Sequence, residues 1–205
     1  MKVLLVNGSH HEKGCTYTAL CEVAKALQAN GVETEIYQLG KAPVRGCNGC
    51  WACKKLKKCV QEDAVNEFVE KTAEFDGFVF GSPVYYASAS GSLVSFMDRV
   101  FYSGGKNLAF KPAAAVVSCR RAGASTTFDV INKYFTINNM PIVGSNYWNE
   151  IHGNTAEEAA QDEEGLQTMR ILGNNMAWLL KCLALGKEVG IEPIRERKIM
   201  TNFIR

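Results

Sequence analysis

A chain of 205 residues with 47% apolar and 21% charged side chains has the make-up of an ordinary globule, not of a fibrous or disordered polymer. Folding at this size buries roughly 70% of the surface of the extended chain, so a core forms without covalent staples. Twenty-three basic residues against twenty-one acidic ones leave a formal charge of +2, and no basic face repeats, which argues against nucleic acid as the main partner.

Short apolar runs alternate with helical periods along the chain. Lys2–Asn7 reads as a buried strand and Thr16–Asn30 as a helix, with Leu20, Val23, Ala24 and Leu27 on one face. Gly31 stops that helix, and Val32–Leu39 alternates as a second strand. A cysteine-rich loop follows, from Gly40 to about Gln61. The pattern then predicts a helix at Asp63–Glu74, a strand at Gly77–Gly81, a helix at Ser90–Tyr102 with Leu93, Val94, Met97 and Phe101 inward, and a strand at Ala113–Ser118. A helix at Ser125–Asn138, a fifth strand at Pro141–Trp148 and a long helix at Asp162–Gly186 complete it, the last with Met169, Leu172, Met176, Leu179 and Leu183 inward. The expected domain spans residues 1–190, with the cysteine loop 45–60 inserted after strand two, and the tail 191–205 shows no period.

Strands separated by helices imply an α/β fold with a five-stranded parallel sheet covered on both faces. Ligands of such sheets bind beyond the carboxyl ends of the strands. No apolar stretch approaches the roughly 18 residues that span a bilayer, and Met1–Asn7 is too brief for a secretory core, so a cytoplasmic protein with reduced thiols and no membrane partner is expected.

The loop after strand one, Asn7-Gly8-Ser9-His10-His11-Glu12-Lys13-Gly14-Cys15-Thr16-Tyr17-Thr18, opens a helix whose free N–H groups favour a phosphate. Ser9, Thr16 and Thr18 add hydroxyls, although Ser9 or Thr16 would equally serve as a helix cap. Neither the Gly-Lys-Ser/Thr of a triphosphate loop nor the dinucleotide glycine spacing is present, which suits a monophosphate. After strand three, Ser82-Pro83-Val84-Tyr85-Tyr86 brings two aromatic rings to the rim, suited to a flat ligand or to a structural turn. Ser118-Cys119-Arg120-Arg121 adds donors for a flavin carbonyl or a nicotinamide-cofactor phosphate, or carries solvated charges. Trp148 and His152 either wall such a pocket or stand in a polar loop.

Together these loops resemble the NAD(P)H-dependent FMN reductase superfamily over about Met1 to Gly153. The resemblance implies a flavodoxin-like three-layer sandwich with strand order 2-1-3-4-5. It implies FMN held by Ser9, His11, Cys15, Thr16, Tyr17, Thr18, Ser82, Pro83, Val84, Tyr85, Tyr86, Ser118 and Arg120. Where the family reads Gly-Ser-Pro-Arg, this chain has Gly8-Ser9-His10-His11, so His11 stands in for a cation at the phosphate.

Within that superfamily the cysteine loop resembles the iron–sulfur flavoproteins. Cys47, Cys50 and Cys53 are spaced by two residues and Cys59 follows after five, matching all four positions. The resemblance implies a 4Fe-4S cluster on these thiolates, a ferredoxin-like electron donor, a small-molecule acceptor and assembly as a homodimer or homotetramer. Short gaps let successive thiolates reach neighbouring corners of a cluster, while zinc or unmetallated thiols are the other readings. Arg45, Lys54, Lys55, Lys57 and Lys58 are placed to offset its negative charge. Cys21 and Cys182 read as core packing. The activities that compete are an iron–sulfur flavoprotein oxidoreductase, a cluster-free NAD(P)H-dependent flavin or quinone reductase, and a non-catalytic flavodoxin-type carrier or redox sensor.

Overall fold

The computed structural model describes residues 1–197 and 199–201; the last part of the expected tail, Lys198 and 202–205, lies outside them. The strands are β1 (Lys2–Asn7), β2 (Glu33–Gln38), β3 (Gly77–Tyr85), β4 (Ser88–Ala89), β5 (Ala113–Cys119) and β6 (Glu150–His152). The helices are α1 (Cys15–Ala29), α2 (Ala52–Leu56), α3 (Ala64–Lys71), α4 (Gly91–Leu108), α5 (Ala124–Ile137), α6 (Ala156–Ala159) and α7 (Glu163–Glu188). The parallel strands run β2-β1-β3-β5-β6, which is the expected order once β4 is set aside.

The two faces of the sheet follow from alternation. Leu4 and Val6 of β1, with Phe78 and Phe80 of β3, point to the layer of α3, α4 and α5. Val3 and Leu5, with Val79, point to α1 and α7. The predicted face of α1 is buried, as are Met169, Leu172 and Met176 of α7.

Five expectations change. The sheet has a sixth strand: β3 runs on to Tyr85 and pairs antiparallel with β4 through a tight turn, Val84 opposite Ala89 and Tyr85 opposite Ser88. The fifth parallel strand is not at Pro141–Trp148. That segment makes one bridge, Ile142 to Ala113, and then arcs away because the buried Asn149 amide donates to the Ala115 carbonyl at 3.0 Å, taking an acceptor a strand would use. Pairing resumes at Glu150. Helix α4 continues past Tyr102 through Gly104, where an added Cβ would lie 2.4 Å from Val69, so this glycine permits close helix packing and does not end the helix. Leu183 is exposed, and Leu180 is buried in its place, because the last turns of α7 run beyond the core; Cys182 is exposed for the same reason.

Candidate functional site

The loop after β1 is braced by a pair of amides. Asn7 Oδ1 accepts from the Ser9 N–H at 3.1 Å, while its Nδ2 donates to Gln38 Oε1 at 2.6 Å. Gln38 in turn donates to the Ser9 carbonyl at 2.7 Å. Ser9 is buried, and its hydroxyl accepts from the His11 N–H at 3.1 Å. Gly8 sits so close to β3 that a Cβ would lie 2.8 Å from the Gly81 carbonyl, and its own N–H bonds that oxygen at 2.9 Å.

Helix α1 begins at Cys15 with Gly14 as its cap residue and no side chain on its first N–H groups. Neither Ser9 nor Thr16 is used as a cap, so these donors remain available for an anion. Thr16 is turned inward instead: its hydroxyl pairs with that of Ser118 at 2.8 Å, tying the loop after β1 to the end of β5. Thr18 donates back to the Gly14 carbonyl at 3.2 Å.

These loops enclose an open cleft of about 640 Å³ at the carboxyl rim. Of the expected cofactor residues, Ser9, His11, Cys15 and Thr16 line it from the first loop, Pro83, Val84 and Tyr85 from the second, and Ser118 and Arg120 from the third. Tyr17, Thr18, Ser82 and Tyr86 do not line it. Tyr17 stands beside Cys21 on α1 and Thr18 is spent on its own helix. Ser82 is fully buried and accepts from the Ser90 N–H at 3.0 Å, closing the β3–β4 turn. Tyr86, with φ of 60°, is the left-handed residue of that turn and is wholly exposed.

The structure adds residues that the motifs did not mark. His10 lines the cleft, lies edge-on to Tyr85 with ring centroids 6.2 Å apart, and bonds Ser92 at 3.0 Å through Nε2. Lys13 and Lys41 bring cations to the rim, and residues 153–157 after β6 form its far wall. The Cys15 thiol donates to the Thr155 carbonyl at 3.2 Å; burial, with the nearby Glu158 and Glu157 charges, pushes its pKa up and keeps it a neutral thiol. Burial and the charge of Glu150 likewise push the Cys119 thiol up. Trp148 and His152 face a separate hollow.

The cysteine loop forms a second site. Cys47, Cys50, Cys53 and Cys59 all line one small, mostly apolar hollow. The chain wraps it through left-handed turns at Gly49, Trp51 and Lys57, with φ of 64°, 59° and 62°. Asn66 clamps the backbone of Cys59, accepting from its N–H at 2.9 Å and donating to its carbonyl at 3.0 Å. Behind the hollow lies Arg99, 1% exposed. Three of the expected lysines make contacts of their own: Lys54 stacks 4.1 Å over Trp51, Lys57 donates to the Lys54 carbonyl and Lys58 pairs with Glu62. Arg99 brings its charge against a thiol directly, through an Nε–H donated to the Cys59 sulfur at 3.3 Å.

Four thiols around one hollow fit an iron–sulfur cluster, where each sulfur binds a different iron. Among the described residues no three Cys, His, Asp or Glu side chains gather closely enough to hold a metal ion, so the four thiols share the lining of the hollow without converging on one point.

A parallel sheet of this order, with helices on both faces, defines a flavodoxin-like protein, and its rim cleft lies where that fold places ligands. The chain belongs to the NADPH-dependent FMN reductase family, which matches residues 1–155. It is similar to an iron–sulfur flavoprotein of Methanocaldococcus jannaschii, 34% identical over 194 residues that cover 89% of this chain and 99% of that protein. It is also similar to the iron–sulfur flavoprotein of Methanosarcina thermophila, 28% identical with 92% and 100% covered. Two solved structures share the fold at 15% identity. RosB aligns with a TM-score of 0.71 over 99% of this chain and 92% of its own. A flavodoxin from the domain Archaea aligns with a TM-score of 0.62 over 88% and 99%. Among the described residues no helix is long and apolar enough to cross a membrane.

Proposed function

We propose that this protein binds FMN in the rim cleft, holds a 4Fe-4S cluster on Cys47, Cys50, Cys53 and Cys59, and passes electrons from NAD(P)H or a ferredoxin-like donor to a small-molecule acceptor. The observation that carries the reading is the meeting of three separate loops in one cleft whose helix start is left uncapped. Membership of an FMN reductase family and similarity to proteins named iron–sulfur flavoproteins support it.

The N–H groups at the start of α1 are the phosphate donors of this reading, with Lys13 and His11 nearby. Pro83, Val84 and Tyr85 are the wall for the ring system, and Arg120 is the cation for a flavin carbonyl or a nicotinamide-cofactor phosphate. When bound, the flavin supplies two-electron acceptance with one-electron release, and the cluster a one-electron port. The protein's own work is to position, neutralise charge and exclude water. Exposed Trp51, Val60 and Tyr102 at the mouth of the cysteine hollow support assembly as a homodimer or homotetramer.

The test is purification without oxygen, with spectrum, iron and flavin measured on one sample. Flavin bands with broad thiolate–iron absorbance and about four irons per chain are expected. Flavin without iron would select the cluster-free NAD(P)H-dependent flavin or quinone reductase. Absence of NAD(P)H oxidation with any acceptor, in flavin-loaded protein, would select a carrier or sensor. Protein that neither retains FMN nor quenches its fluorescence would remove the whole reading.

A further inference from the structure

Arg99 is the bulkiest fully buried side chain among the described residues. A charge inside a fold is an expensive way to pack a helix, because an apolar side chain of similar volume usually serves stability as well or better. Its presence in the middle of α4 therefore calls for a reason beyond packing.

Four of its donors hold the chain. The Asp63 carboxylate accepts from both terminal nitrogens, at 2.6 and 2.8 Å, and the Arg45 and Gln61 carbonyls accept from them at 3.2 and 3.0 Å. The fifth donor, the Nε–H, goes to the Cys59 sulfur at 3.3 Å. A neutral thiol is a weak acceptor, whereas a thiolate facing a guanidinium makes a charge-assisted bond. The contact suits an ionised, iron-bound sulfur.

The contact is also asymmetric. Among the described residues the sulfurs of Cys47, Cys50 and Cys53 accept no hydrogen bond, and Cys59 accepts the one from Arg99. The Cys59 backbone N–H cannot take this role, because Asn66 Oδ1 already holds it at 2.9 Å. The guanidinium thus presents its Nε edge to one corner of the hollow and its terminal nitrogens to a carboxylate.

Hydrogen bonds to the sulfurs and local net charge are among the features that set the potential of an iron–sulfur centre. Reduction adds one electron, taken from the donor, and makes the bound sulfurs more negative, so a hydrogen bond to one of them strengthens. We propose, resting on the four-thiol cluster site proposed above, that Arg99 is a positioning residue that raises the reduction potential through the Cys59 sulfur, and that Asp63 at the other end of the guanidinium moderates the pull. No bond is made or broken, and the proton stays on Nε.

This arrangement predicts shifts of opposite sign from two residues in one knot. The experiment is an anaerobic redox titration of the intact, iron- and flavin-loaded protein, followed by electron paramagnetic resonance of the reduced cluster. Arg99→Gln removes the charge and should disfavour reduction at least ~10-fold, ~59 mV for one electron. Arg99→Lys should recover part of that shift. Asp63→Asn leaves the guanidinium charge unopposed and should move the potential upward. Loosening of the loop alone would move Arg99→Gln and Asp63→Asn in the same direction.

Wild-type protein grown on nitrogen-15 arginine reads the contact without any substitution, and decides the matter if the variants shed their iron. The reduced cluster should show hyperfine coupling to the label. Iron-loaded wild type without that coupling overturns the proposal and leaves the cluster reading standing. So do potentials that stay put, or that shift the same way, in Arg99→Gln and Asp63→Asn. Wild type that binds no iron removes both together.

Discussion

The Nε–H of Arg99 points at the sulfur of Cys59 from 3.3 Å, and the guanidinium has no donor left over. One terminal nitrogen donates to the Arg45 carbonyl and to Asp63 at 3.2 and 2.6 Å; the other donates to the Gln61 carbonyl and to Asp63 at 3.0 and 2.8 Å. All five donors of an arginine are therefore satisfied in one buried knot. The knot ties α4 to both ends of the loop that carries the cysteines.

Removing the guanidinium should unfold that loop first. Arg99→Met strips Asp63 of its partner; because the Asp63 side chain is 35% exposed and water can take over part of its solvation, the cost falls below the about 3–5 kcal/mol of a fully buried pair. Urea unfolding measures it. Arg99→Lys keeps the charge but cannot make five bonds, so it should retain less iron per chain at unchanged flavin content.

Acid should loosen the same knot. Burial pulls the Asp63 carboxyl upward, but the hydrogen bonds from Arg99 and the Val65 amide outweigh it and hold its pKa below the usual carboxylate range. A carboxylate whose pKa is lower folded than unfolded contributes stability fully above the unfolded value, about 3.9. That contribution drains as pH falls through the folded value. Unfolding free energies of wild type and Asp63→Asn should therefore differ most near neutral pH and converge below about pH 4. A constant difference over that range would contradict the assignment.

The hydroxyl pair of Thr16 and Ser118 fixes the first loop to the third. Thr16→Val leaves the Ser118 hydroxyl buried and unpaired, a cost of about 1–3 kcal/mol. Thr16→Val with Ser118→Ala should recover part of it, because no polar group is then stranded. Flavin fluorescence quenching on the same variants reports how far the rim depends on the tie.

Close backbone approach at Gly8 gives a steric test. Gly8→Ala places a methyl 2.8 Å from both the Gly81 carbonyl and Leu93, so overpacking should cost about 1–3 kcal/mol and lower flavin retention. Gly91→Ala meets nothing within 4 Å at the start of α4 and should leave thermal stability unchanged or slightly raised.

Cysteine replacement separates the two sites. Cys53→Ser or Cys59→Ser should abolish iron while flavin is kept, since neither residue lines the rim cleft. Cys182→Ser, exposed on α7, should leave both cofactors in place.

Much of this protein is written in local pattern. The period of two in β1 sends Val3 and Leu5 to one layer and Leu4 and Val6 to the other, and the period in α1 buries Leu20, Val23, Ala24 and Leu27. The glycine-flanked loop after β1, the aromatic loop after β3 and the four close-spaced cysteines are also legible, because each is a contiguous run whose chemistry follows from its spacing. What the chain order hides is decided by partners far along it. Arg99 looks like any charged residue on a helix until the fold brings Asp63, 36 positions away, and Cys59, 40 away, against it. Pro141–Trp148 reads as a strand until the Asn149 side chain, reaching across 34 positions, takes the Ala115 carbonyl and turns the chain aside. Side-chain periodicity is a property of neighbours and survives in one dimension. A buried hydrogen bond is a property of two distant groups, and only the closed sheet determines which groups meet.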